Sequence, residues 1–243
     1  MTHSELAALR GEPSYVWRGG QERRLKMIER WAQLEDAHVL DHGGGNGMYA
    51  SQISRRYNAQ VSVFDIELAR VQEAQREALY AVVAAAEHLP YPTDYFDSIV
   101  SNEVLEHVAD DYGAARELVR VLKPGGRAVI FVPNRWYPFE THGHYWRGEY
   151  HFGNTPLINY LPDRWRDRLA PHVRAYTKRG LLSLFADLPV TIPHYDRIYG
   201  GYDNIIARVG NPGRWVRDLL YRFEGTPLST WGLSHLLVIE KRP

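Results

Sequence analysis

Three glycines at alternate positions, Gly43, Gly45 and Gly47, follow the apolar pair Val39–Leu40 and the acid Asp41. A short apolar run, a tight glycine turn and an amphipathic segment through Tyr57 make a strand–turn–helix unit that can cradle a nucleotide-like ligand. Glycine tolerates positive φ and lets backbone approach a ligand with no Cβ in the way. The helix N-terminus adds free N–H groups and a partial positive charge. Asp41 ends the strand and points at the same crevice. A second acid, Asp65, ends the alternating run Gln60–Asp65 about 20 residues further on. That is where nucleotide-binding folds place the carboxylate that accepts ribose hydroxyls.

These residues need a sheet to hold them. His38–His42, Gln60–Asp65, Ala81–Glu87, Phe96–Asn102 and Arg127–Val132 read as strands. Met48–Tyr57, Glu67–Leu79 and a segment capped by Asp110 and running through Leu122 read as helices between them. Lys123–Gly126 stops the last of these. Before them, Gln21–Leu34 carries Leu25, Ile28 and Trp31 at helical spacing, a helix for the flank of the sheet. Strands alternating with helices at this rhythm predict an α/β fold with a doubly wound, mostly parallel sheet. After Pro133 the rhythm breaks. Segments 134–176 and 196–234 read as irregular, aromatic-rich insertions after strands five and six. Thr177–Phe185 resumes as a helix, Val190–Tyr195 as a strand bulged or at an edge because of Pro193, and His235–Lys241 as the closing strand. The expected organisation is a single domain over 1–243, with an N-terminal cap (1–34), a cofactor half (35–133) and two acceptor-side insertions.

Composition narrows the partners. The 243 residues carry 29 basic and 29 acidic side chains, so bulk charge gives no reason to expect nucleic acid as partner. Cys is 0, which excludes a disulfide framework and a catalytic thiol. No apolar run reaches the length of a membrane span, and Met1–Glu12 lacks a signal-peptide core, so a cytoplasmic protein is expected.

Read together, the motifs resemble those of class I S-adenosylmethionine-dependent methyltransferases, in the group that resembles ubiquinone-biosynthesis methyltransferases. The matching residues are Asp41-x-Gly43-x-Gly45-x-Gly47, Asp65, Ala86-Glu87-x-Leu89-Pro90-Tyr91, Phe96-Asp97, Val104–Val108 and Leu122–Gly126. The resemblance implies a seven-stranded sheet whose last strand is antiparallel and inserted beside the fifth. It also implies S-adenosyl-L-methionine as cofactor, with Gly43–Gly47 along its methionine part and Asp65 on its ribose. Ala86 and Glu87 would follow the adenine edge, and Asn102 would lie beneath the sulfonium. Where the family often has an Asp that bonds the adenine amino group, this chain has Ala85, leaving backbone groups and stacking from Ile66.

A sulfonium methyl is already activated, so the protein must align three atoms and exclude water. An acidic acceptor also benefits from a general base. The candidates are His107, just after strand four, and His144 and His151 in the first insertion. The cluster Glu140, His142, His144, Glu149 and His151 reads as polar loop residues, with no metal expected. Arg164, Arg166, Arg168 and Arg174 read as a solvated basic face. Five tryptophans (136, 146, 165, 215 and 231) follow strand five. With Tyr15–Trp17 they suggest a lid over a small, apolar or aromatic acceptor. Two rivals are a silent cofactor-binding subunit and a nicotinamide-dependent oxidoreductase. The latter wants Gly-x-Gly-x-x-Gly, and here the third position falls on Met48.

Overall fold

The structure is a computed structural model and describes residues 17–77 and 79–243. The chain first forms α1 (Gly19–Trp31), β1 (His38–His42), α2 (Met48–Tyr57), β2 (Gln60–Asp65), α3 (Leu68–Arg76), β3 (Tyr80–Val83) and β4 (Phe96–Asn102). It continues through α4 (Asp111–Val121) and β5 (Leu122–Pro133). The short strands β6 (Phe139–Glu140), β7 (His144–Trp146), β8 (Glu149–His151) and β9 (Thr155–Pro156) follow. The remaining elements are α5 (Asp163–Leu169), α6 (Lys178–Ser183), β10 (Val190–Ile198), α7 (Asp203–Val209), α8 (Asn211–Tyr221) and β11 (Ser234–Lys241).

Seven strands form one sheet in the order β10-β11-β5-β4-β1-β2-β3. From β3 to β5 every neighbouring pair is parallel, whereas β11 runs antiparallel to both β5 and β10. The last strand therefore lies beside the fifth, as the sequence resemblance implied. β10 is the edge, and its register slips between Thr191 and His194, around Pro193. A proline has no N–H for the ladder, so edge and bulge are where it fits.

Successive residues of the central strands bury on opposite faces. Leu40, Ile99 and Ile130 join Ala114, Leu118 and Leu181 in one core layer. Val39, Val100 and Val129 join Leu25, Ile28, Ala50 and Ile53 in the other. Both faces are covered, which is why β5 is a continuous apolar run from Ala128 to Val132 and β1 and β4 carry adjacent apolar pairs, Val39–Leu40 and Ile99–Val100. Two helix starts are held by carboxylates, one local and one from far along the chain. Asp110 caps α4 by accepting the Gly113 N–H (2.9 Å), and the Asp203 carboxylate accepts the Gly20 N–H in the first turn of α1 (2.9 Å).

Three boundaries differ from expectation. The third strand ends at Val83 rather than Glu87: the Ala84 N–H gives the last ladder bond, to the Asp65 carbonyl (3.1 Å), and the chain then turns so that the His88 N–H donates to the Ala85 carbonyl (3.0 Å). β5 begins at Leu122, so the chain extends directly out of α4 through the segment expected to be a turn. Residues 196–234 are not irregular throughout: β10 extends to Ile198, and α7 and α8 follow. None of the described helices is long and apolar enough to cross a membrane.

Candidate active site at the carboxyl edge of the sheet

β1 has β2 on one side and β4 on the other, so the connections leaving β1 and β4 part at their carboxyl ends. Open α/β sheets bind ligands at such a switch point. A cleft of about 1350 Å³ opens there. Its walls come from the turn after β1, the ends of β2 and β4, and helix α1. His142, His172 and Tyr199–Gly201 complete them.

The glycine turn does two different jobs. Gly43 has φ 64°, and a Cβ there would sit 2.7 Å from both Val104 methyls, so this glycine lets the turn pack on the loop after β4. Gly45 has φ 56°, and a Cβ there would meet no heavy atom closer than 3.9 Å, the nearest being Arg70 Cδ and Asp65 Oδ2. The space beside it belongs to the cleft. Gly47 precedes α2 in the left-handed region and lies outside the cleft lining, so its role is to start the helix.

Across from Gly45 stands Asp65. One carboxylate oxygen accepts the Glu67 N–H (2.9 Å), and the other lies 3.9 Å from the Arg70 guanidinium. Asp41 is buried behind the turn and accepts the Ala50 N–H (3.1 Å). Burial, above all, pushes its carboxyl up to about 7. Ile66 is exposed at the rim, and Ala85 and Ala86 line the same end. Glu87 also lines it, but its carboxylate accepts the N–H groups of Ala109 (2.9 Å) and Asp110 (3.0 Å). The Glu87 side chain therefore anchors the loop after β4.

The other end of the cleft is polar. Arg24, reaching in from α1, donates to Asn102 Oδ1 (2.5 Å), Glu103 (2.8 Å) and Ser234 Oγ (2.9 Å). Burial would raise the Glu103 carboxyl, but the Arg24 charge wins and holds it down to about 2. Its neighbour Glu106 is pushed the other way, by burial and by the Glu103 charge facing it. His107, exposed to the cleft, is held down to about 4 by desolvation between the cleft walls and by the His142 charge beside it. Its Nδ1 lies 3.2 Å from the His172 carbonyl oxygen, which can only accept. Nδ1 therefore carries the hydrogen, and Nε2 keeps the lone pair. His142 packs edge-on against His107, with ring centroids 5.3 Å apart. Glu140 steers it, accepting its backbone N–H (2.9 Å) and lying 3.2 Å from Nδ1, and the buried Arg166 holds Glu140 in turn (2.8 Å).

Other expected site residues lie elsewhere. His144 and His151 face one another on the β7–β8 hairpin, rings stacked at 5.3 Å, with His144 Nδ1 3.0 Å from Thr155 Oγ1. Neither lines the cleft, because strand pairing turns both toward each other. The five tryptophans after β5 are 46–75% exposed, and none lines the cleft. Trp17 packs on Tyr49 (5.2 Å), while Tyr15 and Val16 fall outside the described residues. Arg166 and Arg174 are structural rather than a solvated face, since both donate to backbone carbonyls.

Comparison with known proteins agrees with this geometry. Residues 40–130 match the methyltransferase domain family. The match runs from β1 into β5 and covers a little over a third of the chain. The chain is 33% identical over 119 residues to a ubiquinone biosynthesis O-methyltransferase of Xanthomonas oryzae pv. oryzae, covering 46% of this chain and 49% of that protein. It is 34% identical over 113 residues to a ubiquinone/menaquinone biosynthesis C-methyltransferase of Proteus mirabilis, covering 42% and 45%. The matched region spans about half the length of these curated relatives. Over nearly the whole chain (92%, and 98% of the other) the fold is similar to an S-adenosylmethionine-dependent methyltransferase from Mesorhizobium loti. That likeness has a TM-score of 0.65 at 18% identity.

The cleft fits S-adenosylmethionine on structural grounds. Gly45 leaves open the volume a ligand needs, and Asp65 faces it with a carboxylate oxygen not committed to backbone. Sequence reasoning missed Arg24, Glu103, Glu106 and His172 and treated His142 as a loop residue. For Glu103, Glu106 and His107 the signal was present: three polar groups within five residues directly after a core strand.

Proposed function

We propose that the protein transfers the methyl group of S-adenosylmethionine to a hydroxyl of a small molecule in the cytoplasm. The observation that carries this reading is the continuity of the cleft. One end offers Gly45 and Asp65, and the other ends in Asn102, Glu103, His107 and His142.

The donor supplies an activated methyl on a sulfonium, and the chain's residues do the rest. Asp65 accepts the ribose hydroxyls. Asn102, fixed through Oδ1 by Arg24, keeps its position beneath the reacting centre. The walls from α1 and Tyr199–Gly201 limit water. His107 presents an unprotonated nitrogen where the acceptor approaches. The polar walls favour an oxygen acceptor, and the O-methyltransferase among the relatives supports this. The expectation of an apolar, tryptophan-lined pocket rested on rings that point elsewhere.

The test combines calorimetry with S-adenosylhomocysteine and transfer of labelled methyl to a panel of phenols and alcohols. Saturable product binding with labelled ethers formed would support the reading. Binding without transfer to any acceptor would favour a silent cofactor-binding subunit, and no binding would end it.

A further inference from the structure

We propose that Glu106, His107 and His142 form a site for a divalent transition-metal cation at the acceptor end of the cleft. The cation would hold the acceptor's hydroxyl oxygen. This deepens the methyl-transfer reading and rests on it only for that last role.

One ligand atom from each of the three residues lies within 4.8 Å of the other two. An ion among them would need only small side-chain movements to reach metal–ligand distances of about 2.0–2.3 Å. Glu106 is 1% exposed, and no donor reaches either of its carboxylate oxygens. What faces it is a second carboxylate, Glu103, so either a shared proton or a cation must lie between the two. A cation satisfies both.

The imidazoles are oriented in advance. His142 Nδ1 is turned to Glu140, which Arg166 locks, and His107 Nδ1 is turned to the His172 carbonyl. Metal-binding histidines are commonly fixed this way through the nitrogen that does not bind the ion. His107, His142 and Glu103 also line the cleft, so an ion held here would keep coordination positions open toward a ligand. Two imidazoles with carboxylate suit Mn²⁺, Co²⁺ or Zn²⁺ rather than Mg²⁺ or Ca²⁺.

The chemistry balances. A bound hydroxyl becomes more acidic and gives its proton to water. The resulting oxyanion forms the O–C bond with the methyl, and the C–S electron pair stays on sulfur as the thioether. The expectation of no metal is thereby revised: His142 is a ligand, while His144 and His151 are polar hairpin residues.

The experiment titrates chelator-treated full-length protein with Co²⁺ alone, following its visible absorption and the heat of binding. One saturable equivalent in the micromolar range, displaced by Zn²⁺ and not by Mg²⁺, is expected. Glu106→Gln and His142→Asn should each weaken Co²⁺ at least 100-fold, with thermal melts confirming a folded chain and His144→Ala unchanged. S-adenosylhomocysteine binding is measured in parallel and should persist in Glu106→Gln. No saturable Co²⁺ site, or equal affinity in the variants, overturns the metal site. Co²⁺ binding without S-adenosylhomocysteine binding leaves the metal site standing and removes the methyl-transfer reading.

Discussion

Arg24 and Glu103 meet at 2.8 Å, although one lies on α1 and the other just beyond β4. The same guanidinium fixes Asn102 and Ser234, so one side chain ties the flanking helix to the carboxyl ends of β4 and the start of β11. Arg24→Ala strips the half-buried Glu103 carboxylate of its countercharge. Breaking a charge-assisted pair of this partial burial costs about 1–3 kcal/mol. Chemical denaturation should show a loss of that order, and adding Glu103→Gln should recover part of it. A loss below about 1 kcal/mol would show the pair to be exposed in effect.

Asp65→Ala should weaken S-adenosylhomocysteine by about 2 kcal/mol, or roughly 30-fold, because ribose hydroxyls lose their acceptor in a desolvated cleft. Isothermal calorimetry reads this directly. Unchanged affinity would move the ribose away from Asp65.

Gly45→Val tests the turn. The backbone there is left-handed, and a branched residue costs about 1–3 kcal/mol in that region. The protein has room for the new atoms, but they would occupy the ligand's volume. A folded variant that no longer binds S-adenosylhomocysteine is the expected result; retained affinity would reduce the turn to a structural element.

The early elements were legible because their signals are local. Met48–Tyr57 follows from its leading glycines, β1 from its short apolar run, β2 from its alternation, and the bulge in β10 from Pro193. The polar end of the cleft was not legible, for a physical reason. Arg24 reaches Ser234 across 210 positions, and no periodicity records such a contact. His144 and His151 misled because they pair across the β7–β8 hairpin, where their rings stack on one another instead of lining the cleft. The helices α7 and α8 were missed because Gly213 is their one buried residue, so little apolar burial marks either.

Asp41 makes stability depend on pH in a definite direction. Its carboxyl titrates at about 7 when folded and near 3.9 when unfolded. Between those values the unfolded chain is ionised and the folded chain is not. The wild type therefore loses stability as pH rises from about 4 to 7, by a few kcal/mol in all. Asp41→Asn, which can still accept the Ala50 N–H, should flatten that slope. Urea melts at pH 4.5 and pH 8 should show the variant gaining on the wild type at the higher pH; parallel curves would refute it.

His144→Ala with His151→Ala should leave methyl transfer within about twofold of wild type, since neither ring lines the cleft. A tenfold loss in kcat with S-adenosylhomocysteine affinity intact would restore the hairpin to the chemistry.

The position of β11 has a consequence for how the molecule is made. It is formed from Ser234–Lys241, yet lies between β5 and β10 and supplies Ser234 beside Arg24. β1 to β5 pair with one another and are all synthesised before the strand that completes their core. β10 has no neighbour until β11 emerges to join it to β5, and the walls built from Tyr199–Gly201 wait with it. Contacts this distant in sequence form late. The strands that carry Gly45 and Asp65 are thus made long before the strand that closes the polar end of the cleft.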